Sequence, residues 1–372
     1  MENRKKIVHL INDIAKGGGA QNMLYNITKY ADLNKYDISV ISLLPLDSYK
    51  KQMEENNIKV YILNIKKHPI NTIREIIKIL KNANTLFCWM YAANFIGYIC
   101  GKIAKVEKIN IGIRQSNIGK DVFKTSTRIL NKIGAIISRS KYISNVIYNG
   151  EKAKIVHENI GYDKEKSKVI INGCETEKFR YIENAREELL KENLKLRNDS
   201  TWIISATRYN KIKDVPNFVN AIGKVKKVYK NIQIFMCGNG FNKSNNELLD
   251  LLNKNNLKID EDIFLMGLVD NLPKMFSACD LYVLHSAGEA FPNTLLEAMS
   301  CEIECIATNA GDSEKIHPNK DNIVQIRDSE KLFKKICEVL QKNEKNRHPE
   351  YRKIIQEKYS IENVVKIYEN YY

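Results

Sequence analysis

The chain has 372 residues, of which 44 % are hydrophobic, so it is too long for one ordinary core and predicts two α/β domains. This apolar content excludes wholesale disorder, and no window approaches the ~18 uninterrupted apolar residues of a transmembrane helix. The net charge of +15 is confined to residues 1–170, which have 29 basic and 14 acidic residues, whereas residues 171–372 have 30 of each. The asymmetry predicts two domains with different partners, and the partner of the basic first domain is expected to be anionic.

Apolar runs typical of buried strands alternate with helical patterns along the chain, which predicts parallel sheets wound through βαβ units. In the first half the predicted strands are KKIVHLI, DISVISLL, KVYILNI, TLFCWMY, KINIGIR, AIISRS and KVIINGC. Residues 66–81 combine five basic side chains with a helical apolar face made of Ile70, Ile73, Ile77 and Leu80. This pattern predicts a basic amphipathic helix, for which a merely solvated lysine-rich surface is the alternative.

Residues 180–200 are charged and have no strand pattern, so the domain boundary is predicted near residue 173. In the second half the predicted strands are TWIISATR, IQIFMCG, DIFLMG, DLYVLHS and IECIAT. We predict a first domain over residues 1–173, a second over 174–355, and a C-terminal helix over 356–372 that packs back on the first domain. Ligands of doubly wound sheets bind at the carboxyl ends of the strands, so a site between the domains is expected.

The segment GEAFPNTLLEAMS, residues 288–300, contains two glutamates, Glu289 and Glu297, separated by seven residues. Pro292 is suited to the first turn of a helix, where its missing N–H costs nothing. The next three residues would present free backbone N–H groups to a diphosphate at the positive helix end: Asn293, Thr294 and Leu295. Glu297 would accept hydrogen bonds from ribose hydroxyls, and Glu289 would hold a sugar hydroxyl.

This segment resembles the signature of the family-four retaining glycosyltransferases, which build bacterial capsules, O-antigens, lipopolysaccharide and other surface glycans. Without the rest of the segment, two glutamates at this spacing would indicate only the solvated face of a helix. The resemblance implies the α/β GT-B fold, in which two doubly wound Rossmann-like domains face a central cleft. It also implies transfer of a hexose or N-acetylhexosamine from a nucleotide diphosphate sugar, expected to be a UDP-sugar, with retention of configuration. The acceptor would attack from the face of the leaving group, and no metal or cofactor would be required.

Under this resemblance Arg208 and Lys213 are the paired cations that follow the first strand of the donor domain, and they form the catalytic set together with Glu289. Cations fixed in a dry cleft stabilise the charge of a departing diphosphate more than the ground state. The resemblance implies a further set of donor-binding residues: Gly18, Gly19, Gly238, Leu268, Val269, Phe291, Pro292, Asn293, Thr294, Leu295 and Glu297. The glycines among them are also explained as plain turn glycines.

The sequence departs from the family pattern at three places. Asn172-Gly173 resembles the family's crossing into the second domain, but its usual Asp is replaced. The turn at Gly311-Asp312 resembles a Gly-Gly turn in which Ala310 replaces the first glycine. Where family members often have a histidine near the donor sugar, this chain has Arg114-Gln115-Ser116, which we assign to the acceptor side.

Two further signals have competing interpretations. His285 ends a predicted strand near the site. It is interpreted either as a general base or as a packed, hydrogen-bonded histidine. Asp260 and Asp262 form the Asp-x-Asp triplet that binds metal in the other large glycosyltransferase fold. They precede their strand, away from the carboxyl edge, so a solvated acidic turn is expected instead.

The expected partners are a nucleotide-sugar donor, a glycan or polyprenyl-linked glycan acceptor, and an anionic membrane surface that the basic first domain would contact. The predicted location is the cytoplasm, peripherally at the inner face of the cell membrane. A nucleotide-sugar epimerase, or a phosphorylase with a pyridoxal lysine, is the rival enzyme. A basic nucleic-acid-binding protein would interleave aromatic residues with lysines on one sheet. That pattern is not found, so no nucleic-acid partner is expected.

Overall fold

The computed structural model describes residues 4–116, 118–119, 125–193, 195–342 and 347–372. The chain divides into two compact units, a first unit of residues 1–173 and 361–372 and a second unit of residues 174–360. The passage into the second unit falls at the predicted residue. The return falls after Ser360, five residues beyond the predicted one, because a helix runs from Pro349 to Tyr359.

Seven parallel strands form the sheet of the first unit: β1 (Lys5–Ile11), β2 (Tyr36–Ser42), β3 (Lys59–Ile62), β4 (Thr85–Trp89), β5 (Lys108–Ile113), β6 (Ile143–Tyr148) and β7 (Ser167–Val169). Their order is β3-β2-β1-β4-β5-β6-β7. The central strands are almost wholly buried, as in parallel sheets covered on both faces. The order reverses between β1 and β4, and such a reversal opens a crevice at the carboxyl ends.

Among the described residues of this unit, six helices connect the strands: α1 (Gly19–Tyr30), α2 (Lys50–Glu55), α3 (Pro69–Leu80), α4 (Tyr91–Ile103), α5 (Thr125–Ser138) and α6 (Glu151–Asn159). The predicted strand AIISRS is wrong, because these residues form the end of α5 and the turn after it. Ile133 and Ile137 lie four residues apart and pack on the core from one helix face. The sixth strand is instead Ile143–Tyr148, which is not among the predicted strands.

The predicted amphipathic helix is confirmed as α3. Most of its apolar face is used by the core, because Ile76 and Leu80 are buried and Ile73 and Ile77 pack against them. Ile70 is the exception, with 67 % of its surface exposed. The helix therefore offers basic side chains but little apolar surface to a partner.

Six parallel strands form the sheet of the second unit: β8 (Thr201–Ala206), β9 (Ile232–Cys237), β10 (Ile263–Gly267), β11 (Leu281–Leu284), β12 (Glu304–Thr308) and β13 (Ile323–Val324). Their order is β10-β9-β8-β11-β12-β13, and it reverses between β8 and β11. The helices are α7 (Ala185–Glu192), α8 (Val215–Val228), α9 (Asn246–Lys254), α10 (Leu272–Ala278), α11 (Asn293–Ser300), α12 (Ser313–Ile316), α13 (Ser329–Gln341) and α14 (Pro349–Tyr359).

The chain returns to the first unit through α15 (Ile361–Glu369). Val364, Val365 and Tyr368 are buried in the core on the side of β1 and β4. The backbone N–H of Asp32 donates to the Glu369 carboxylate over 2.9 Å, which fixes the end of the helix. Within the described residues, no helix is both long enough and apolar enough to cross a membrane.

Candidate functional site

The loops that follow β8 and β11 meet at the strand reversal of the second unit, because these two strands are direct neighbours. Lys213 ends a short 3₁₀ turn, Lys211–Lys213, after β8, and Glu289 lies in the loop between β11 and α11. The two side chains form an ion pair, and only 18 % of the Lys213 side chain and 11 % of the Glu289 side chain are exposed. Two of the three predicted catalytic residues are thus in direct contact.

The Glu289 carboxylate is held by a chain of polar contacts. Ser286 Oγ donates to Glu289 Oε1 over 2.7 Å, and Thr308 Oγ1, at the end of β12, donates to the Ser286 carbonyl over 2.6 Å. Gly311 has φ +58°, and a Cβ there would lie 2.8 Å from both the Cβ and the carbonyl of Glu289. The sequence pattern indicates a turn at Gly311, whereas only the structure shows its packing against Glu289.

The backbone on either side of Lys213 is tied to the loop after β11. The Ala287 N–H donates to the Ile212 carbonyl over 2.8 Å, and the His285 ring lies 2.6 Å from the Lys213 carbonyl. Burial lowers the pKa of His285 to about 4, so its ring is neutral near pH 7. Of its two interpretations, the structure supports the packed and hydrogen-bonded histidine.

Arg208, the third predicted catalytic residue, is the second residue after β8 and is exposed. The turn after β9 packs against Thr207 and Tyr209, the two residues that flank Arg208 in the chain. Gly238 has φ +128°, and a side chain there would overlap the Thr207 carbonyl, while a Cβ at Gly240 would lie 2.6 Å from Tyr209 Cβ. These glycines therefore permit a close approach of two loops. A contact of Gly238 with the donor stays a prediction.

The start of α11 differs from the expectation. Asn293 is the first helical residue and Pro292 caps the helix from outside it. The Asn293 N–H donates to the Phe291 carbonyl, and the Leu295 N–H donates to the Pro292 carbonyl, both over 3.1 Å. The prediction that these two N–H groups are free is wrong, because the chain tightens into a turn as it enters the helix.

The side chains near this turn also have partners within the second unit. Phe291 is buried, with its ring centre 6.2 Å from that of Tyr359. Thr294 Oγ1 accepts a hydrogen bond of 2.7 Å from the Tyr282 hydroxyl. Both side chains hold the loop in place. A donor would therefore contact these two residues through atoms that do not make these contacts, such as those of the backbone.

Glu297 lies one turn into α11. Burial raises the pKa of its carboxyl to about 7, opposed by Lys178 and assisted by Glu175. Glu297 is therefore present in both protonation states near pH 7. Hydroxyl donors such as a ribose diol favour the ionised form and would lower this pKa.

Leu268 and Val269 follow β10 at the same carboxyl edge of the sheet. Leu268 is 73 % exposed, and the turn before it is anchored by a hydrogen bond from the Gly238 N–H to the Gly267 carbonyl, 2.6 Å long. An exposed leucine at this edge is suited to the face of a planar base. That contact stays a prediction.

In the first unit, Gly18 caps α1 and Gly19 is its first residue. A side chain at Gly18 would overlap Gln21, whose Nε2 donates to Asp13 Oδ1 over 2.9 Å. The glycine turn therefore packs closely on its own helix. Its role in donor binding stays a prediction.

Arg114 is buried and anchors α15. Its guanidinium donates to Asn172 Oδ1 over 2.9 Å and to the Tyr368 hydroxyl, and it lies 4.3 Å from the centre of the Trp89 ring. No local pattern in the sequence indicates this packing role of Arg114. The acceptor-side assignment of Arg114, and of the half-buried Gln115 and Ser116 beside it, stays a prediction.

The Asp-x-Asp triplet is bound by lysines. Asp260 pairs with Lys195 at 3.1 Å and with Lys243 at 2.9 Å. Asp262 is buried and pairs with Lys226 at 2.6 Å, so the expectation of a solvated turn is wrong for this residue. Across the part of the chain that the structure describes, no three His, Cys, Asp or Glu side chains are grouped to hold a metal ion.

Residues 200–342, which contain this site, match the family model described as "Glycosyl transferases group 1". This part of the chain is therefore similar to that family. The glycosyltransferase resemblance of the sequence is thereby confirmed.

Two curated proteins illustrate the relationship. A glycosyltransferase of Methanocaldococcus jannaschii is 28 % identical over 164 residues, which are 44 % of this chain and 39 % of that protein. The N,N'-diacetylbacillosaminyl-diphospho-undecaprenol alpha-1,3-N-acetylgalactosaminyltransferase of Campylobacter jejuni is 23 % identical over 277 residues, 70 % of each chain. This chain therefore spans less than half the length of the first relative and about two thirds of the second.

Among solved structures, HepE of Anabaena in complex with UDP has a TM-score of 0.84 and 17 % identity, and the likeness covers 98 % of both chains. The same protein in complex with UDP-glucose has a TM-score of 0.83. The predicted GT-B fold is confirmed by this likeness, with parallel sheets of seven and six strands.

Proposed function

We propose that this chain is a retaining glycosyltransferase that moves a hexose or an N-acetylhexosamine from a UDP-sugar to a growing surface glycan or a lipid-linked oligosaccharide. The observation that carries the proposal is the half-buried Lys213–Glu289 pair at the β8–β11 reversal, within the residues that match the family. A cation and a carboxylate held together at a sheet's carboxyl edge supply charges for both halves of such a donor.

The ion pair suits a site that waits for an anion. Without a donor, each charge neutralises the other, which limits the cost of keeping them out of water. When a diphosphate enters, Lys213 would exchange the carboxylate for a phosphate oxygen. Glu289 would then accept a hydrogen bond from the sugar, and the exposed Arg208 would add a second cation. Positive charge already in place stabilises the leaving group without reorganisation.

No metal is required in this proposal, because Lys213, Arg208 and the positive end of α11 share the neutralisation of the diphosphate. The lysine partners of Asp260 and Asp262 support the same proposal, since each carboxylate already has a cation. The acceptor would attack from the leaving-group face, with the departing phosphate taking its proton.

The proposed donor is a UDP-sugar, which is supported by the HepE structures that contain UDP and UDP-glucose. The test is a thermal-shift series with UDP, GDP and ADP and their common sugars, followed by a transfer assay in which NMR records the anomeric configuration. A ligand at 100 times its Kd adds about 2.7 kcal/mol to the free energy of unfolding. Stabilisation by no nucleotide would contradict the proposal. Isomerisation of the donor without acceptor would favour the epimerase.

The proposed acceptor is a polyprenyl-linked glycan, and the C. jejuni relative, named for such an acceptor, supports this choice. We propose that the enzyme reaches it from the cytoplasm, bound peripherally to the inner face of the cell membrane. An anionic lipid surface fits the excess of basic residues in the first unit.

We propose α5 rather than α3 as the docking element, because most of the apolar face of α3 packs on the core. An exposed stripe along α5 and the residue after it alternates two isoleucines with two cations at spacings of three and four residues: Ile129, Lys132, Ile136 and Arg139. We name this set the α5 stripe. Ile129 is 54 % exposed and Ile136 is 74 % exposed. Apolar side chains flanked by cations complement an anionic bilayer surface, and nucleic acid offers no partner for the isoleucines.

A further inference from the structure

We propose that His285 is a positioning residue for sugar transfer, which holds the backbone of Lys213 beside Glu289 by binding the Lys213 carbonyl. The inference rests on the proposed function, in which Lys213 and Glu289 handle the donor. His285 itself is 1 % exposed, so it acts on the reaction through the backbone of Lys213 and not through the substrate.

The hydrogen bonds of the His285 ring determine one tautomer. Nδ1 lies 2.6 Å from the Lys213 carbonyl, which can only accept, so Nδ1 carries the proton. Nε2 lies 2.7 Å from Ser205 Oγ and therefore accepts the hydroxyl hydrogen. The ring thus links β8, through Ser205, to the turn that carries Lys213.

Two hydrogen bonds set the plane of the ring, and packing covers one of its faces. Phe218 of α8 stacks on that face with the ring centres 4.6 Å apart and the planes inclined by 14°. Nδ1 and Nε2 are each hydrogen-bonded to a group of the protein, and Ser205 is itself buried. The Lys213 carbonyl therefore has a donor held in place in front of it.

The Lys213 backbone needs this support because the chain turns sharply there. Asp214, the next residue, has φ +51°, a left-handed conformation that is unfavourable for a residue other than glycine. Without the His285 hydrogen bond, the peptide between Lys213 and Asp214 could rotate to relieve that conformation and would move the lysine away from Glu289. A displacement of about 1 Å at such a site costs roughly 100-fold in rate.

Three substitutions separate the hydrogen bond from the packing. His285→Phe removes both ring hydrogen bonds and keeps an aromatic ring against Phe218. His285→Asn keeps a donor near the position of Nδ1. Phe218→Leu is the matched control, because it disturbs the same stack and leaves both hydrogen bonds of His285 in place.

We expect His285→Phe to lower kcat for transfer roughly 10–100-fold, the scale of a misplaced catalytic group, with a smaller change in the KM of the donor. His285→Asn should recover most of that loss. Phe218→Leu should lower Tm but leave kcat per folded molecule near the wild-type value. If His285→Phe and Phe218→Leu lower Tm and kcat alike, His285 is a core residue only. If His285→Asn is as slow as His285→Phe and the acid limb of the pH profile disappears, His285 is a general base and the proposal is wrong.

A second measurement does not depend on sugar transfer. Acetylation of lysines by N-hydroxysuccinimidyl acetate, followed by mass spectrometry, reports how accessible the Lys213 amino group is. His285→Phe should speed the labelling of Lys213 several-fold relative to Lys227, an exposed lysine of α8, and Phe218→Leu should not. Unchanged labelling in His285→Phe would overturn the inference. If the wild-type protein transfers no sugar but His285→Phe still speeds the labelling of Lys213, only the proposed function is overturned.

Discussion

The two units share a doubly wound architecture but use their charged residues differently. The first unit has 30 basic and 16 acidic residues, and the second has 29 and 28. In the second unit several shielded cations have a carboxylate partner, as in Lys213–Glu289, Lys226–Asp262 and Arg186–Asp280. In the first unit the excess lies on the surface, including the α5 stripe. One fold thus serves either to hold a few charges in fixed places or to present many of them together.

The buried histidines also differ in what they support. In the first unit, His9 accepts a hydrogen bond from Trp89 Nε1, and His157 lies 2.8 Å from the Tyr91 hydroxyl, so both stabilise the core. In the second unit, His317 lies 2.9 Å from the Cys305 carbonyl and stabilises the core as well, whereas His285 binds the turn that carries Lys213. A buried ring therefore supports packing in both units, and in the second unit one such ring also supports a charged site.

The largest expected effect comes from removing the charges of the site. Glu289→Ala, Lys213→Ala and Arg208→Ala should each lower turnover, by roughly 10²–10³ for a single preorganised charged donor. Steady-state kinetics with a UDP-sugar measures this, with Lys227→Ala as a matched control on the exposed surface of the same unit. Glu289→Ala should leave UDP affinity almost unchanged. Near-normal turnover in all three variants would contradict the assignment of these charges to the site, and with it the view that the second unit holds its charges in fixed places for the reaction.

Acid should destabilise the first unit more than the second. Burial lowers the pKa of His157 to about 4, and burial together with Arg114 lowers that of His9 to about 3, below the usual 6.5. The unfolded chain therefore binds protons first, and stability that is complete above pH 6.5 is lost as the pH falls towards these values, by about 2 kcal/mol per histidine at pH 5.

The second unit has an opposing group. Burial lowers the pKa of His285 and of His317 as it does for the histidines of the first unit, but it raises the pKa of Glu297 to about 7, so that acidification below pH 7 removes a cost of folding there. Hydrogen exchange at pH 7 and pH 5, corrected for intrinsic rates, measures each unit separately. A greater loss of protection in residues 174–360 would show that the carboxyl does not compensate.

Docking through the α5 stripe should depend on one or two side chains. Lys132→Ala should weaken co-sedimentation with phosphatidylglycerol vesicles about fivefold, since a cation near an anionic surface is worth ~1 kcal/mol. Ile136→Ser should weaken it further if the isoleucine enters the interface. Lys227→Ala in the second unit is the control. Binding to the vesicles at low salt that is lost in high salt supports electrostatic docking. A protein that stays in the supernatant at low salt excludes docking.

The smallest expected effect is that of chelation. Turnover should be unchanged in EDTA, because lysine and arginine side chains replace a divalent ion in the proposed site. A complete loss that Mn²⁺ reverses would contradict this, and would make Asp260 and Asp262 candidates again despite their lysine partners.

Much of this protein follows from patterns that are local in the sequence. Runs of buried strand residues determine two parallel sheets, since only wholly covered strands tolerate continuous apolar residues on both faces. The spacing of Glu289 and Glu297, with a helix start between them, identifies the loop that carries the site. AIISRS was mistaken for a strand because a short apolar run fits a strand and a buried helix end equally well.

The tertiary structure alone decided which of these residues touch. His285, Ser286 and Gly311 support the site through partners in other loops, and Arg114 binds a helix that begins more than 240 residues later. These contacts depend on the order of strands in each sheet, which brings the ends of β8, β11 and β12 together although they are far apart in the chain. A local pattern gives the type and the face of an element, whereas the pairing of strands, which is a property of the whole sheet, determines the neighbours of every residue at its edge.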